Sequence, residues 1–179
     1  MLDGETQLIE RAVGGKASAF GSLYDYYQPK IYRFVLIKVS RREEAEDLTH
    51  QVFLHAWQHI GTYANLGFPF SSWLYRIARN QVIDHYRTKK EESAIEAVET
   101  DYLFSSENHE LRTDQKLMFE RAIKAIRTLN EDHQDILIMR FIEELSVKET
   151  AASIGKTEGA VKLMQHRAIK ELKSLLQPN

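Results

Sequence analysis

Apolar residues recur every three or four positions along nearly the whole chain, and no alternating strand pattern persists, so helices are predicted throughout. The first covers Glu5–Val13, with Leu8, Ile9, Ala12 and Val13 on one face, and Gly14-Gly15 ends it. A longer helical stretch carries Phe20, Leu23, Tyr24, Tyr27, Ile31, Phe34 and Val35. Pro29 is expected to kink or divide it, because proline has no amide donor. Ser40-Arg41-Arg42-Glu43 has the spacing of a capping box, opening a helix with Ala45, Leu48, Val52, Ala56 and Ile60 on one stripe. After a loop over 61–69, Ser71 or Ser72 is expected to cap a helix containing Trp73, Leu74, Ile77, Ala78 and Ile83, running to about Lys90.

The pattern then fades. Residues 91–114 hold eight acidic side chains and one basic one, Arg112, which reads as an acidic linker between two periodic regions. Periodicity resumes with Leu117, Phe119, Ala122, Ile123, Ile126 and Leu129. Asn130 can cap a helix bearing Ile136, Leu137, Met139, Arg140 and Phe141; Ser146-Val147-Lys148-Glu149 is a second capping box; Gly155 stands where a helix should stop; and Thr157 can cap the last helix. The expected architecture is all-α: a helical domain over 1–90, a flexible acidic linker over 91–114, and a second helical domain over 115–179 carrying a helix-turn-helix.

In that last segment a short capped helix ends at Gly155 and a longer one follows. Val161, Met164, Ala168, Leu172 and Leu175 form its buried stripe. Lys162, Gln165, His166, Arg167 and Lys170, with Lys173, fall on the outer surface. Such a helix suits the major groove, where its first turns reach base edges and its cations neutralise phosphates. A helical hairpin with a merely solvated basic face is the other reading.

The helix from Trp73 to Arg87 joins aromatics to Arg76, Arg79, Asn80 and Arg87, with Lys89 and Lys90 beyond. Aromatic faces stack on unpaired bases, cations follow a backbone, and an amide reads an unstacked base edge. Trp73 by itself reads as core. The preceding helix presents Asp47, His50 and Gln51 beside Phe53, Leu54 and Trp57. That mixed patch could dock a protein with Trp57 as anchor, or Phe53 and Trp57 could lie wholly in the core.

Composition narrows the classes. The 179 residues carry a net charge of −2 and no cysteine. Thiolate metal sites and thiol nucleophiles are thereby excluded. No glycine-rich phosphate loop, metal-ligand cluster or nucleophile elbow occurs, so neither catalytic residues nor a cofactor or metal is expected. No apolar run is long enough for a membrane span, and the N-terminus lacks the pattern of a secretory signal, so a cytoplasmic protein is expected. With a pI of about 6.4, any DNA contact must come from local patches and draw affinity from a partner.

The motifs resemble those of the sigma-70 family of RNA polymerase sigma factors. Glu46-Asp47-Leu48-Thr49, Val52-Phe53-Leu54 and Ala56-Trp57 are similar to its second region, as are Phe70, Trp73, Arg76, Arg79, Asn80, Asp84 and Arg87. The stretches 129–141 and 144–168 resemble its fourth region. Two such domains with only a short linker between them resemble the extracytoplasmic-function subgroup. The resemblance implies a factor that binds core polymerase and directs promoter-specific initiation. It implies that Asp47, His50, Gln51, Leu54 and Trp57 dock on the clamp helices of the largest subunit. Trp73, Arg76, Arg79, Asn80, Asp84 and Arg87 would hold and melt the −10 element, and Lys162, Gln165, His166, Arg167 and Lys170 would read the −35 element. The flap of the second subunit and an anti-sigma factor are further implied partners.

The chain departs from the family where His50-Gln51 replaces Gln-Glu, and where Leu163-Met164-Gln165 follows Lys162 in place of Ser-Arg-Leu. Two further expectations rest on the acidic linker. Its carboxylates could thread into basic channels of the polymerase, and packing of the two domains is expected to hide DNA-binding surface in the free protein. The rival readings are a homodimeric helix-turn-helix regulator, which would bind DNA specifically without polymerase, and an enzyme, for which no motif speaks.

Overall fold

The computed structural model describes residues 2–63, 67–88 and 113–177, with the side chains of 113 and 114 excepted; most of the acidic linker lies outside these residues. Eight α-helices are found among them: α1 (Glu5–Val13), α2 (Ala17–Val39), α3 (Arg42–His59), α4 (Phe70–Thr88), α5 (Thr113–Arg127), α6 (Glu131–Leu137), α7 (Val147–Ile154) and α8 (Glu158–Leu176). The described residues contain no strand. Helices α1 to α4 pack around α2, and α5 to α8 form a second helical domain in which α8 lies on α5, α6 and α7. Helix α5 begins two residues before the expected start of the second domain.

Pro29 does not divide α2, which runs unbroken for 23 residues. Proline leaves the Asp25 carbonyl without its helical donor, but Asp25 and Pro29 both face solvent, where water can take that place. Meanwhile Leu23, Tyr27, Ile31 and Phe34 bury the opposite side and keep the helix continuous.

The capping box at Ser40 does not form either. Helix α2 extends to Val39, so Ser40 becomes its C-cap, with φ 71°, and its amide donates to the Leu36 carbonyl at 2.9 Å. Arg41 takes the N-cap position of α3 without a side-chain cap. The Ser40 hydroxyl is buried and has no partner among the described residues. A left-handed conformation is costly for a residue with a Cβ, and an orphaned hydroxyl adds to that cost. Ser40→Gly is therefore expected to stabilise the protein by about 1 kcal/mol. Chemical denaturation measures this, and an unchanged or lower midpoint contradicts it.

Local capping signals in the second domain form as their spacing predicts. Asn130 accepts from the His133 amide, Thr157 accepts from the Ala160 amide, and Gly155 ends α7 at φ 68°. The Ser146 box is complete: the Ser146 amide donates to Glu149 Oε2 at 2.7 Å, and the Glu149 amide donates to Ser146 Oγ at 3.1 Å. The helix expected to continue through Phe141 instead ends at Leu137 and widens into a π turn over Ile138–Ile142. The Glu143 amide reaches back to the Ile138 carbonyl at 2.9 Å, and this swings Glu143 towards α2.

Candidate nucleic-acid interface

Three surfaces bring together the residues singled out in the sequence. On α3, Asp47, His50, Gln51 and Leu54 are exposed and follow one another at helical spacing on a single face, with the Leu54 side chain 48% exposed. Phe53 and Trp57 answer differently. Phe53 is buried edge-on against Tyr24, and Trp57 is half-buried with its ring 5.0 Å from Phe20. Trp57 is thus largely committed to packing, and Leu54 is the most prominent apolar group on that face.

The second surface is α4. Its N-terminal turn carries an aromatic cluster in which Trp73, half-buried, lies 5.2 Å from Tyr63 and 5.4 Å from Phe70. Trp73, Tyr63, Phe68 and Arg76 line an open cleft that Ala152 of α7 closes on one side. Asn80, Asp84 and Arg87 remain exposed along one edge, with Asp84 and Arg87 paired at 3.0 Å. Ser71 and Ser72 are not caps, because α4 starts at Phe70. Both are buried in its first turn and donate to Glu149 of α7, Ser72 to its carbonyl at 3.1 Å and Ser71 to its carboxylate at 3.4 Å.

The second domain bonds two basic side chains of that helix, Arg76, which stays exposed, and Arg79. Arg76 donates to the Ala152 carbonyl. Arg79 reaches Asp135 at 2.6 Å and Asp132 at 3.0 Å, and Asp135 in turn holds Lys38 of α2, both side chains of that pair being buried. Lys156 joins at Asp132, at 3.2 Å. A second node forms where Glu143 accepts both guanidinium arms of Arg33, at 2.6 and 2.9 Å, and the Tyr75 hydroxyl at 2.9 Å. Burial, reinforced by the neighbouring Glu143 carboxylate, pushes the Tyr75 phenol well above its ordinary range, so it remains a donor. Burial works against the Arg79 charge, but Asp135 and Asp132 outweigh it and raise its pKa further.

The third surface, the outer face of α8, is left open. Lys162, His166, Arg167 and Lys170 are exposed. Val161 and Ala168 are buried, and Met164 and Leu172 pack at the core edge, whereas Leu175 is 50% exposed and leaves the expected stripe at the helix's fraying end. Gln165 is turned inward, its carbonyl oxygen accepting from Arg140 Nε at 3.0 Å. Packing of the two domains therefore engages Arg76 and Arg79 of α4, of which only Arg79 is largely covered, and none of the candidates on α8. Carboxylates and carbonyls of α6 and α7 do the covering, whereas the linker residues 91–112 lie outside the described set.

Sequence reasoning missed Asp135, Glu143 and Leu163. A signal existed for the first. Lys38 interrupts the apolar run from Phe34 to Val39, and Asp135 adjoins the run from Ile136 to Met139; charges of opposite sign within apolar runs mark a buried pair.

Among the described residues, no helix is long and apolar enough to cross a membrane, and no group of three or more acidic, histidine or cysteine side chains could hold a metal. The family model "Sigma-70 region 2" matches residues 23–92, and "Sigma-70, region 4" matches residues 125–174. The chain is 39% identical over 173 residues to the ECF RNA polymerase sigma factor BldN of Streptomyces coelicolor, an alignment covering 95% of this chain and 65% of that one. It thus spans just under two thirds of that relative's length. It is 27% identical over 190 residues to the ECF RNA polymerase sigma factor ShbA of Streptomyces griseus, covering 99% of this chain and 100% of the other. A solved structure of CnrH in complex with the cytosolic domain of CnrY shares the fold, with a TM-score of 0.72 at 22% identity over 94% of each chain.

Proposed function

Because the chain belongs to the sigma-70 family, in its extracytoplasmic-function branch, we propose that it binds core RNA polymerase in the cytoplasm and directs initiation at promoters with −10 and −35 elements. Residues 1–90 serve the polymerase and the −10 element, residues 115–179 the −35 element, and residues 91–114 join them. The observation that carries this reading is the combination, in one chain and in family order, of an aromatic and basic helix α4 with a basic, open helix α8. A homodimeric regulator has no use for the first.

In this reading Asp47, His50, Gln51 and Leu54, with Trp57 behind them, meet the clamp helices of the largest subunit, and the second domain meets the flap of the second. Trp73 and the cleft beside it hold an unstacked base of the −10 element, and Asn80 reads a base edge. Arg76, Arg79 and Arg87 follow the backbone, with Asp84 orienting Arg87. Lys162, His166, Arg167 and Lys170 enter the major groove at −35, and Gln165 supports that row from behind. The chain performs no catalytic step; it positions DNA for the polymerase. An anti-sigma factor is its expected inhibitor; CnrH, which shares the fold, is solved bound to a protein partner, the cytosolic domain of CnrY.

The packed arrangement is the resting form. Arg76 and Arg79 must exchange protein acceptors for phosphates before α4 can work, so engagement of the polymerase has to pull the domains apart. In vitro transcription with sigma-free core polymerase and a genomic promoter library tests the function. Discrete new starts that require this protein are expected, each reduced about tenfold by Asn80→Ala or Arg167→Ala. No added transcripts, together with specific DNA binding by the chain alone, would return it to the regulators.

A further inference from the structure

Leu163 is the odd residue on the open face of α8. The helix turns about 100° per residue, which puts Leu163 about 200° from the buried Val161, near the centre of the outer surface. Leu163 is 53% exposed. Around it at helical spacing stand Gly159, His166, Arg167 and Lys170, with Lys162 adjacent, all exposed. Gly159 matters because a Cβ there would meet nothing within 4 Å, so one turn before Leu163 the helix surface is bare and a base pair can come close. Gln165, the amide expected to read bases, is held off this row by Arg140, which also donates to the Leu145 carbonyl.

Cations on this face bind phosphates whatever the sequence, but a leucine gains nothing from a phosphate. The apolar group that a base pair offers in the major groove is the pyrimidine 5-methyl, carried in unmodified DNA by thymine. We infer that Leu163 reads a thymine methyl in the −35 element and is a specificity-determining residue of this factor. The inference rests on the reading of α8 as the −35 helix and adds the base class it selects.

The test uses the full chain in complex with core polymerase on a promoter it initiates from. Each thymine of the −35 region is replaced singly by deoxyuridine, which removes only the methyl, and each cytosine singly by 5-methylcytosine. Affinity is measured by competition for wild type, Leu163→Ala and Arg167→Ala. One thymine is expected to lose about fourfold on demethylation with the wild type, the worth of one buried carbon, and nothing with Leu163→Ala. Arg167→Ala should weaken all duplexes while keeping the methyl dependence. If no thymine responds, or if the response survives in Leu163→Ala, the assignment of Leu163 fails while α8 still binds DNA. A gain on methylating a cytosine, with no loss at any thymine, overturns thymine as the ligand. If Arg167→Ala binds as well as wild type, the reading of α8 itself falls and Leu163 with it.

Discussion

Asp135→Asn is expected to open the free protein, shifting the balance between packed and separated domains by about 3–5 kcal/mol, or roughly 150- to 5,000-fold. The Asp135 carboxylate is fully buried, with one oxygen on Lys38 and the other on Arg79 at 2.6 Å. Lys38 is itself 3% exposed, so a neutral amide leaves a buried ammonium without its counter-ion. That penalty exists only while the domains are packed. Once they separate, Lys38 and position 135 both meet water. The expected signature is a larger radius of gyration by solution scattering, with faster amide exchange confined to α4, α6 and α7 and little change elsewhere. Asp132→Asn is the internal control. Its side chain is 31% exposed, so it should shift the balance by no more than about 1 kcal/mol. An Asp135→Asn protein as compact as wild type, with α4 equally protected, would mean the charged network does not hold the domains together.

The same change separates two roles of Arg79. Arg79→Ala removes a partner of Asp135 and also a cation proposed for the −10 strand, so it should loosen the packing and weaken promoter melting together. Asp135→Asn should loosen the packing and leave the DNA-binding groups intact. A factor whose competent form is a minor population binds with its intrinsic affinity reduced by that fraction. Opening by Asp135→Asn should therefore strengthen binding of a −10 single strand to the free chain.

How far the sequence could be read follows from the range of each interaction. Asn130, Ser146, Thr157 and Gly155 bond within four residues of themselves, and the helix ends they mark are where the sequence placed them. Ser40 looked equally persuasive, yet the apolar face of α2 ran on to Val39 and carried Ser40 into a different role. Pro29 does not divide α2 for the same reason, burial on the far side of its helix. The site residues of α3, α4 and α8 could be gathered onto faces by periodicity alone. What reaches α4 could not, because Arg76 and Ala152 lie 76 positions apart and Arg79 and Asp135 lie 56 apart. Leu163 was within reach of the sequence, since a helical wheel places it opposite Val161.

Leu54→Glu is expected to weaken association with core polymerase by about 30-fold or more while leaving the free protein unaltered. Hot-spot groups at protein interfaces cost about 2 kcal/mol or more when lost, and they are apolar or aromatic groups ringed by polar ones. Leu54 matches that description: it is 48% exposed, with Asp47, His50 and Gln51 on the same face. Trp57, which the sequence left open between anchor and core, spends much of its ring on Phe20, so Trp57→Ala would damage the first domain as well as any interface. Leu54→Glu avoids that confusion. The side chain already faces water in the free protein, and glutamate is a good helix former, so unfolding curves should coincide with wild type. In the complex a carboxylate would be buried at the interface without a partner, which makes the loss steeper than that of the leucine contacts alone. Fluorescence anisotropy of labelled protein titrated with core polymerase measures the effect without any promoter. Undiminished affinity would move the polymerase contact away from this face of α3.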